Sequence, residues 1–231
     1  MIISIKNMSL IRNNEHILKN ISVNFPSHKI NIILGKSGSG KSCLIKACAK
    51  LMAINSGTIT IDKQNIDNID ITTNIGFVFQ SNALFDSLTI KENLTFGMQK
   101  EINDNAIKNI LHDLKLNENI LTKYPNEISG GMQKRIAIAR SIIQEKKILF
   151  LDEPTTGLDP VTSYTIGQTI QNIFNSFKQL TIICITHDIQ LAKQIGHHFI
   201  LLQNKNIAWE GKSLNNNNSD DIINKFINGK D

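Results

Sequence analysis

A glycine-rich segment at positions 35–42 constrains the fold of this chain more than any other part of its sequence. It reads GKSGSGKS and matches the pattern G-x-x-x-x-G-K-[ST] at every fixed position. The preceding run at 29–34 is almost continuously apolar, as in strands buried on both faces, and apolar residues recur at helical spacing from 41 to 53. The sequence therefore predicts a strand, a loop and a helix in that order.

The residue types of this loop suit a phosphate group. Glycines let backbone N–H groups turn inward around an anion, and the helix that follows points its positive end at the same place. We expect Lys41 to pair with the β- and γ-phosphates of a nucleotide and the Ser42 hydroxyl to ligate Mg²⁺. The alternative is a glycine turn that binds no nucleotide. The predicted ATP-binding residues of the loop are Gly35, Lys36, Ser37, Gly38, Ser39, Gly40, Lys41 and Ser42.

A second apolar strand, predicted at 148–151, ends in the adjacent carboxylates of Asp152 and Glu153. Open α/β sheets present ligand groups at this end of their strands. We expect Asp152 to hold Mg²⁺ through its water shell and Glu153 to orient and polarise the water that attacks a γ-phosphate. A solvated acidic turn is the alternative.

The order of predicted elements indicates one α/β domain with a helical insertion. Short β-rich runs at 2–5 and 17–25, separated by a polar break at 12–15, predict an antiparallel entry region. Strand, helix and strand then alternate as in a parallel sheet, with further strands predicted at 57–62, 75–79, 181–185 and 199–202 and a helix at 162–177.

Strand signals vanish between 81 and 145, where apolar residues recur at helical spacing. A polar linker at 215–218 precedes a short amphipathic tail. We therefore expect a single domain over 1–231, with an α/β core at 1–80 and 146–214, an α-helical lobe at 81–145 and a tail at 215–231.

Composition excludes several classes of protein. A hydrophobic fraction of 41% supplies a packed core, and 19% charged residues are too few for a disordered chain. The net charge of +5 is small and the lysines are dispersed, so no nucleic-acid partner is expected. No run approaches the roughly 18 apolar residues that a bilayer span needs, so we expect a chain that stays in the cytoplasm. Cys43, Cys48 and Cys184 form no CxxC pair, which argues against a zinc site or a disulfide framework.

Residues 128–132, ISGGM, resemble the LSGGQ signature of the nucleotide-binding subunits of ABC transporters, and the resemblance covers nearly the whole chain. The carboxylate-bearing strand follows about twenty residues later, as in that family. Gln80 follows the strand predicted at 75–79 as the glutamine of the family's Q-loop does. Asp159 ends the segment 157–159, which looks like the D-loop, and His187 ends a strand as the switch histidine does.

The resemblance implies a P-loop NTPase with a RecA-like core, and a homodimeric sandwich with two ATP molecules at its interface. Ser129, Gly130 and Gly131 would contact the ATP bound to the partner chain, as would Asp159, which would also link the two sites. His187 would contact the γ-phosphate. The implied catalytic residues are Glu153, His187 and Gln80, the implied Mg²⁺ ligands are Ser42, Gln80 and Asp152, and the cofactors are ATP and Mg²⁺.

Two positions depart from the family pattern. Arg12 stands where many members place an aromatic ring against adenine, and a guanidinium can stack on a purine instead. Met132 replaces the glutamine of the signature. We expect this change to be tolerated, because the serine and the two glycines before it would make the phosphate contacts.

Residues 76–90 and 132–140 look like the Mla-type ATPases that power MCE lipid transporters. This resemblance implies an ATPase motor on the cytoplasmic face of the bacterial inner membrane that moves phospholipid or a related lipid between inner and outer membranes. It implies an integral-membrane permease, whose coupling helix would sit in a groove near residues 83–85, an MCE-domain lipid-binding protein and a small STAS-like accessory subunit. The alternatives are the motor of a small-solute importer, for example for amino acids, and a soluble ABC ATPase acting on nucleic acid or ribosomes.

Overall fold

The computed structural model describes residues 1–81, 83–98, 103–214 and 221–229. The strands in this part of the chain are β1 (Ile3–Arg12), β2 (Glu15–Phe25), β3 (Ile30–Leu34), β4 (Ser56–Ile61), β5 (Gln64–Asn65), β6 (Ile75–Val78), β7 (Ile148–Asp152), β8 (Thr181–Ile185), β9 (His198–Gln203) and β10 (Asn206–Gly211). The α-helices are α1 (Lys41–Cys48), α2 (Ile90–Thr95), α3 (Asp104–Asp113), α4 (Gly130–Ile143), α5 (Pro160–Ser176), α6 (Ile189–Ile195) and α7 (Asp221–Ile227).

The central sheet has the strand order β10-β9-β3-β8-β7-β6, and its pairs are parallel except for β9 with the edge strand β10. Its inner strands are apolar throughout because both faces are covered. On β7, Leu149 and Leu151 belong to the core under α4 and α5, whereas Ile148 and Phe150 belong to the core under α1 and the entry strands. The predicted parallel α/β sheet is therefore confirmed.

The entry strands form a second, antiparallel sheet with the order β2-β1-β4-β5. Asn13 and Asn14 join β1 to β2 with φ values of 50° and 62°, a conformation that favours tight hairpins. The polar break at 12–15 is thus a two-residue turn, as the sequence predicts. The first strand runs to Arg12, however, well beyond the predicted end at residue 5, because bulges between Ile5 and Ile11 keep it paired with β2.

The helix predicted at 41–53 ends earlier, at Cys48. Lys50 adopts a φ of 50°, its N–H donates to the Ala47 carbonyl, and the N–H of Leu51 donates to the Lys46 carbonyl. These two bonds form a helix-ending motif in which glycine usually takes the left-handed position. Lys50 takes that position here, so the sequence lacks the glycine that would have indicated the end of the helix. The predicted linker at 215–218 lies outside the described residues, and α7 follows it with Ile223 buried.

Helices and short 3₁₀ turns occupy the described residues between α2 and α4, as predicted for this stretch. The segment that leads into α2 is fastened by Asn93, which is fully buried. The Asn93 side chain accepts a hydrogen bond from the Phe85 N–H at 2.8 Å and donates to the carbonyls of Phe85, Leu88 and Thr89. None of the helices in the described ranges is long and apolar enough to cross a bilayer.

Replacing Asn93 by alanine should lower the free energy of unfolding by about 2 kcal/mol, because several backbone groups lose their partner. Urea unfolding followed by circular dichroism measures this. The exposed Asn105 provides the matched control, and Asn105→Ala should change the free energy of unfolding by less than about 0.5 kcal/mol. Equal effects of the two substitutions would contradict the anchoring role of Asn93.

Candidate active site

The glycine-rich loop leaves β3 at the carboxyl edge of the central sheet and enters α1. Gly35 is packed so closely that a Cβ atom there would lie 2.4 Å from the Leu202 carbonyl oxygen. Gly40 has a φ of 99°, and a Cβ atom there would lie 2.8 Å from Leu18. These two positions require glycine, which explains why the fixed glycines of the motif stand where they do.

Lys41 places its ammonium inside the loop. Nζ donates to the carbonyls of Gly35 and Lys36, at 2.8 Å each, and the residue is only 5% exposed. Burial lowers the pKa of Lys41, whereas the nearby carboxylates of Glu153 and Asp152 raise it. The two carbonyls and the two carboxylates thus hold a buried ammonium where a phosphate would enter.

The loop also contains a buried hydroxyl that lacks a partner, because Ser39 Oγ makes no hydrogen bond within the described part of the chain. Buried polar groups are almost always paired, so an orphaned donor in such a loop fits a ligand that brings acceptor oxygens. A nucleotide phosphate is such a ligand.

Ser42 and Asp152 meet across the sheet. The Ser42 hydroxyl donates to Asp152 Oδ1 at 2.9 Å, and Asp152 is 4% exposed. Burial raises the pKa of Asp152, against the lowering effect of the Ser42 hydrogen bond. No group of three or more metal-ligating His, Cys, Asp or Glu side chains occurs among the described residues. The hydroxyl and carboxylate nevertheless fit Mg²⁺, which typically takes one or two protein oxygens together with nucleotide phosphates.

Glu153 follows with a φ of 49°, a left-handed conformation that costs a non-glycine residue free energy. Its Oε2 accepts a hydrogen bond from the Thr156 hydroxyl at 2.7 Å and lies 3.1 Å from His187 Nδ1. Burial raises the pKa of Glu153, but the contacts with Thr156 and His187 and the charge of Lys41 outweigh it, and the net shift is downward. Glu153 is thereby kept as a carboxylate that can accept a proton or orient water.

A cavity of about 340 Å³ joins these groups, a size within the usual range for small-ligand sites. Gln80 and Glu153 line this cavity together with residues of the loop. The lining residues are Ile17, Ser37, Gly38, Gly40, Lys41, Ser42, Cys43, Gln80 and Glu153. The structure therefore brings the loop, Gln80 and Glu153 to one place.

Arg12 is not brought into this cavity. Its guanidinium donates to the carbonyls of Ile11 at 3.3 Å and Ala53 at 3.4 Å, and Ile17 of β2 lines the cavity instead. The stacking role expected for Arg12 gains no support from this placement, because its side chain turns toward the segment between α1 and β4.

The signature residues and Asp159 also lie outside the cavity lining, but they adjoin one another. Ser129 caps α4 and accepts the Met132 N–H at 3.3 Å. Asp159 caps α5 and accepts the N–H groups of Val161 and Thr162. A Cβ atom on Gly131 would lie 2.5 Å from Thr162, so the starts of α4 and α5 touch. Ser129, Gly130 and Asp159 are exposed and form a second surface on the same chain, with Gly131 buried directly beneath it.

Thr156 is a contact that the sequence analysis missed. Its N–H donates to the Glu153 carbonyl at 3.2 Å, so it lies in the turn directly after β7. A hydroxyl residue three positions after a carboxylate is the available signal, although the same spacing is common in ordinary turns.

The fold and this site define a P-loop nucleotide-binding protein of the α/β class. Residues 18–156 match the family described as ABC transporter. The chain is 34% identical over 220 residues to the glutamine transport ATP-binding protein GlnQ of Escherichia coli (strain K12), covering 90% of each. It is 37% identical over 217 residues to the sulfate/thiosulfate import ATP-binding protein CysA of Mesostigma viride, covering 92% of this chain but only 62% of that protein.

Among solved structures, the dimeric post-hydrolysis state of the ATP-binding cassette MJ0796 bound to ADP and Pi superposes with a TM-score of 0.79 at 29% identity. The alignment covers 91% of this chain and 98% of that one. This chain belongs to the ABC transporter family. The family match and the ADP and Pi bound to MJ0796 support ATP and Mg²⁺ as the cofactors of this site.

Lys41→Ala should weaken ATP binding by about tenfold or more, because the phosphates lose their buried cation. Titration with a fluorescent ATP analogue measures the Kd. Lys6→Ala removes the same charge from an exposed position on β1 and should leave the Kd within about twofold of the wild type. An unchanged Kd for Lys41→Ala would contradict the assignment of the loop.

Proposed function

We propose that this chain is the ATP-binding and ATP-hydrolysing motor subunit of an ABC transporter. The observation that carries the proposal is the convergence of Lys41, Ser42 and Glu153 on one cavity at the carboxyl edge of the parallel sheet, with Asp152 hydrogen-bonded to Ser42 behind it. The hydrolysis of a nucleoside triphosphate needs these three elements: a cation for its phosphates, oxygen ligands for its metal and a carboxylate beside the attacked phosphorus.

Magnesium, when bound, neutralises charge on the β- and γ-phosphates. Ser42 and Asp152 are its proposed ligands, with Gln80 as the third. The supporting observation is their shared position: Ser42 and Gln80 line the cavity, and the Ser42 hydroxyl contacts Asp152. Lys41 and the other residues of the loop, 35–42, would hold the phosphates themselves.

Glu153 is the proposed general base, which accepts the proton of the attacking water. His187 and Thr156 hold the same carboxylate oxygen, so the second oxygen, Oε1, is available to the water. His187 does not line the cavity itself, but it is well exposed beside Glu153 and would contact the γ-phosphate once ATP is bound. The proposed catalytic set is therefore Glu153, His187 and Gln80.

A second copy of the chain would complete the site. Ser129, Gly130, Gly131 and Asp159 do not line the cavity of their own chain, yet they lie together at the adjoining starts of α4 and α5. Helix starts bind anions through free N–H groups, and α4 is a helix of fourteen residues. This surface would contact the ATP of the partner in a homodimeric sandwich, an arrangement supported by the dimeric form of MJ0796.

An integral-membrane permease is the proposed second partner. Phe85 and Phe96 expose 42% and 49% of their surfaces, and their rings lie 4.3 Å apart with Arg140 5.9 Å above the Phe85 ring. Such an aromatic patch beside the Q-loop segment suits an inserted helix of a membrane protein. The motor would then be peripheral, on the cytoplasmic face of the bacterial inner membrane.

The proposed cargo is phospholipid or a related lipid, on the strength of the Mla-like residues 76–90 and the methionine at position 132. An MCE-domain protein and a STAS-like subunit would then be further partners. A small-solute importer is the second candidate, favoured by the likeness to GlnQ and CysA. Affinity purification from mild-detergent extracts of native membranes, with mass spectrometry of proteins and lipids, separates the two. Recovery of a solute-importer permease without an MCE-domain protein would overturn the lipid proposal.

Glu153→Gln should reduce MgATP turnover by about a hundredfold or more, because the water loses its proton acceptor. Its Kd for ATP should stay within about twofold of the wild type, since the phosphate loop is untouched. Phosphate-release kinetics and nucleotide titration measure the two quantities. The exposed Glu145 supplies the control, and Glu145→Gln should hydrolyse ATP like the wild type. Wild-type turnover in Glu153→Gln would refute the role of Glu153.

Ser129→Arg tests the composite site. An arginine at the start of α4 should block the approach of the partner, so dimers with one substituted subunit should lose about half of their ATPase activity or more. Co-expression with two different tags isolates these mixed dimers for assay. Ser176→Arg places the same side chain at the exposed far end of α5 and serves as the control. Full activity in the Ser129→Arg mixed dimers would rule out the shared site.

A further inference from the structure

Lys134 is a buried cation that the roles assigned above do not use. It lies in the second turn of α4, the helix that begins at the signature residues, and is only 4% exposed. Lysine is almost never buried so completely unless its charge has partners. Nζ of Lys134 donates a hydrogen bond to the backbone carbonyl of Gln80, the residue that also lines the nucleotide cavity.

Two carboxylates on the cavity side of the molecule act on the charge of Lys134. Burial lowers the pKa of Lys134, whereas the carboxylates of Asp152 and Glu153 raise it. The same two carboxylates act on Lys41 in the same direction. The two lysines thus lie in the field of one carboxylate pair, one in the phosphate loop and the other on α4.

The other cations of α4 are directed elsewhere. Arg135 donates to the Leu114 carbonyl at 3.1 Å, within the helical lobe, and Arg140 lies over the Phe85 ring. Among the described residues of α4, Lys134 is the cation that donates to the backbone at Gln80, and it does so within the field of the carboxylates at the end of β7. Because Lys134 bonds to a backbone carbonyl rather than to a side chain, the hydrogen bond restrains the position of the main chain at Gln80.

We propose that Lys134 is a positioning residue for ATP hydrolysis, which couples the signature helix to the Q-loop through the Gln80 carbonyl. The inference rests on the ATPase function proposed above. The start of α4 would contact the partner's ATP, and a helix moves as a rigid unit over so short a distance. Separating a buried ammonium from its acceptor is costly, so the backbone at Gln80 follows α4 when the sandwich closes. Closure would thereby set the Gln80 side chain toward Mg²⁺.

The test compares Lys134→Met with Lys134→Arg, and uses Arg135→Met as the matched control. Arg135 is a neighbouring cation on α4 whose acceptors are the Gly131, Leu114 and Lys115 carbonyls, so its loss removes a charge from the same helix without removing the contact with Gln80. For each variant we would measure the kcat of MgATP hydrolysis, the Mg²⁺ concentration that gives half the maximal rate, and the ATP affinity without Mg²⁺. Amide hydrogen exchange at residues 77–81 would be followed with the nucleotide bound.

Lys134→Met should lower kcat by about tenfold and raise the half-saturating Mg²⁺ concentration several-fold, while ATP affinity without Mg²⁺ stays within about twofold of the wild type. Amide exchange at 77–81 should become faster. Lys134→Arg keeps the cation and should recover most of the rate. Arg135→Met should lower the melting temperature without shifting the Mg²⁺ dependence.

A kcat and a Mg²⁺ dependence close to the wild type in Lys134→Met would overturn the inference. A lower kcat with a raised half-saturating Mg²⁺ concentration in Arg135→Met would overturn it too. If the wild-type chain itself hydrolyses no ATP, the proposed function fails separately. The exchange measurement then decides the coupling, since unchanged exchange at 77–81 in Lys134→Met means that the lysine does not hold the Q-loop.

Discussion

The burial of opposite charges at one edge of the central sheet is the constraint on which the rest of this structure depends. Lys41 and Asp152 are each 5% exposed or less, and neither could stay ionised there without partners. Only β8 separates β3 from β7, so these two strands lie about 10 Å apart. The loop after β3 and the carboxylates after β7 are therefore close neighbours. Apolar strands that are buried on both faces hold this spacing rigid.

Those strands are also the part of the fold that sequence reasoning predicted best. Both β3 and β7 are short apolar runs, because helices or a second sheet cover each face. The edge strand β10 was missed, since its side chains are half exposed and mixed in polarity. The ends of β1 and α1 were misplaced for a related reason: bulges and a left-handed Lys50 are settled by tertiary pairing, which leaves no local signal.

The candidate site likewise has residues that the sequence predicts and contacts that it does not. Lys41 and Ser42 follow from the glycine-rich motif that leads into α1, and Asp152 and Glu153 follow from the apolar run that ends in two carboxylates. The contacts that support them come from distant parts of the chain, as with Lys134 on Gln80, and spacing cannot reveal them. Arg12 was expected at the nucleotide because of its position in the family pattern, but its side chain turns away. A family position indicates where a residue lies along the chain and not where its side chain points.

The central claim is that one chain carries two halves of two different sites, a phosphate cavity and a separate surface at the starts of α4 and α5. Sedimentation velocity of the hydrolysis-deficient Glu153→Gln chain, with and without MgATP, tests this claim most directly. The account predicts a 25.9 kDa monomer that becomes a species of twice that mass when MgATP is added. A single 25.9 kDa species at saturating MgATP would contradict it.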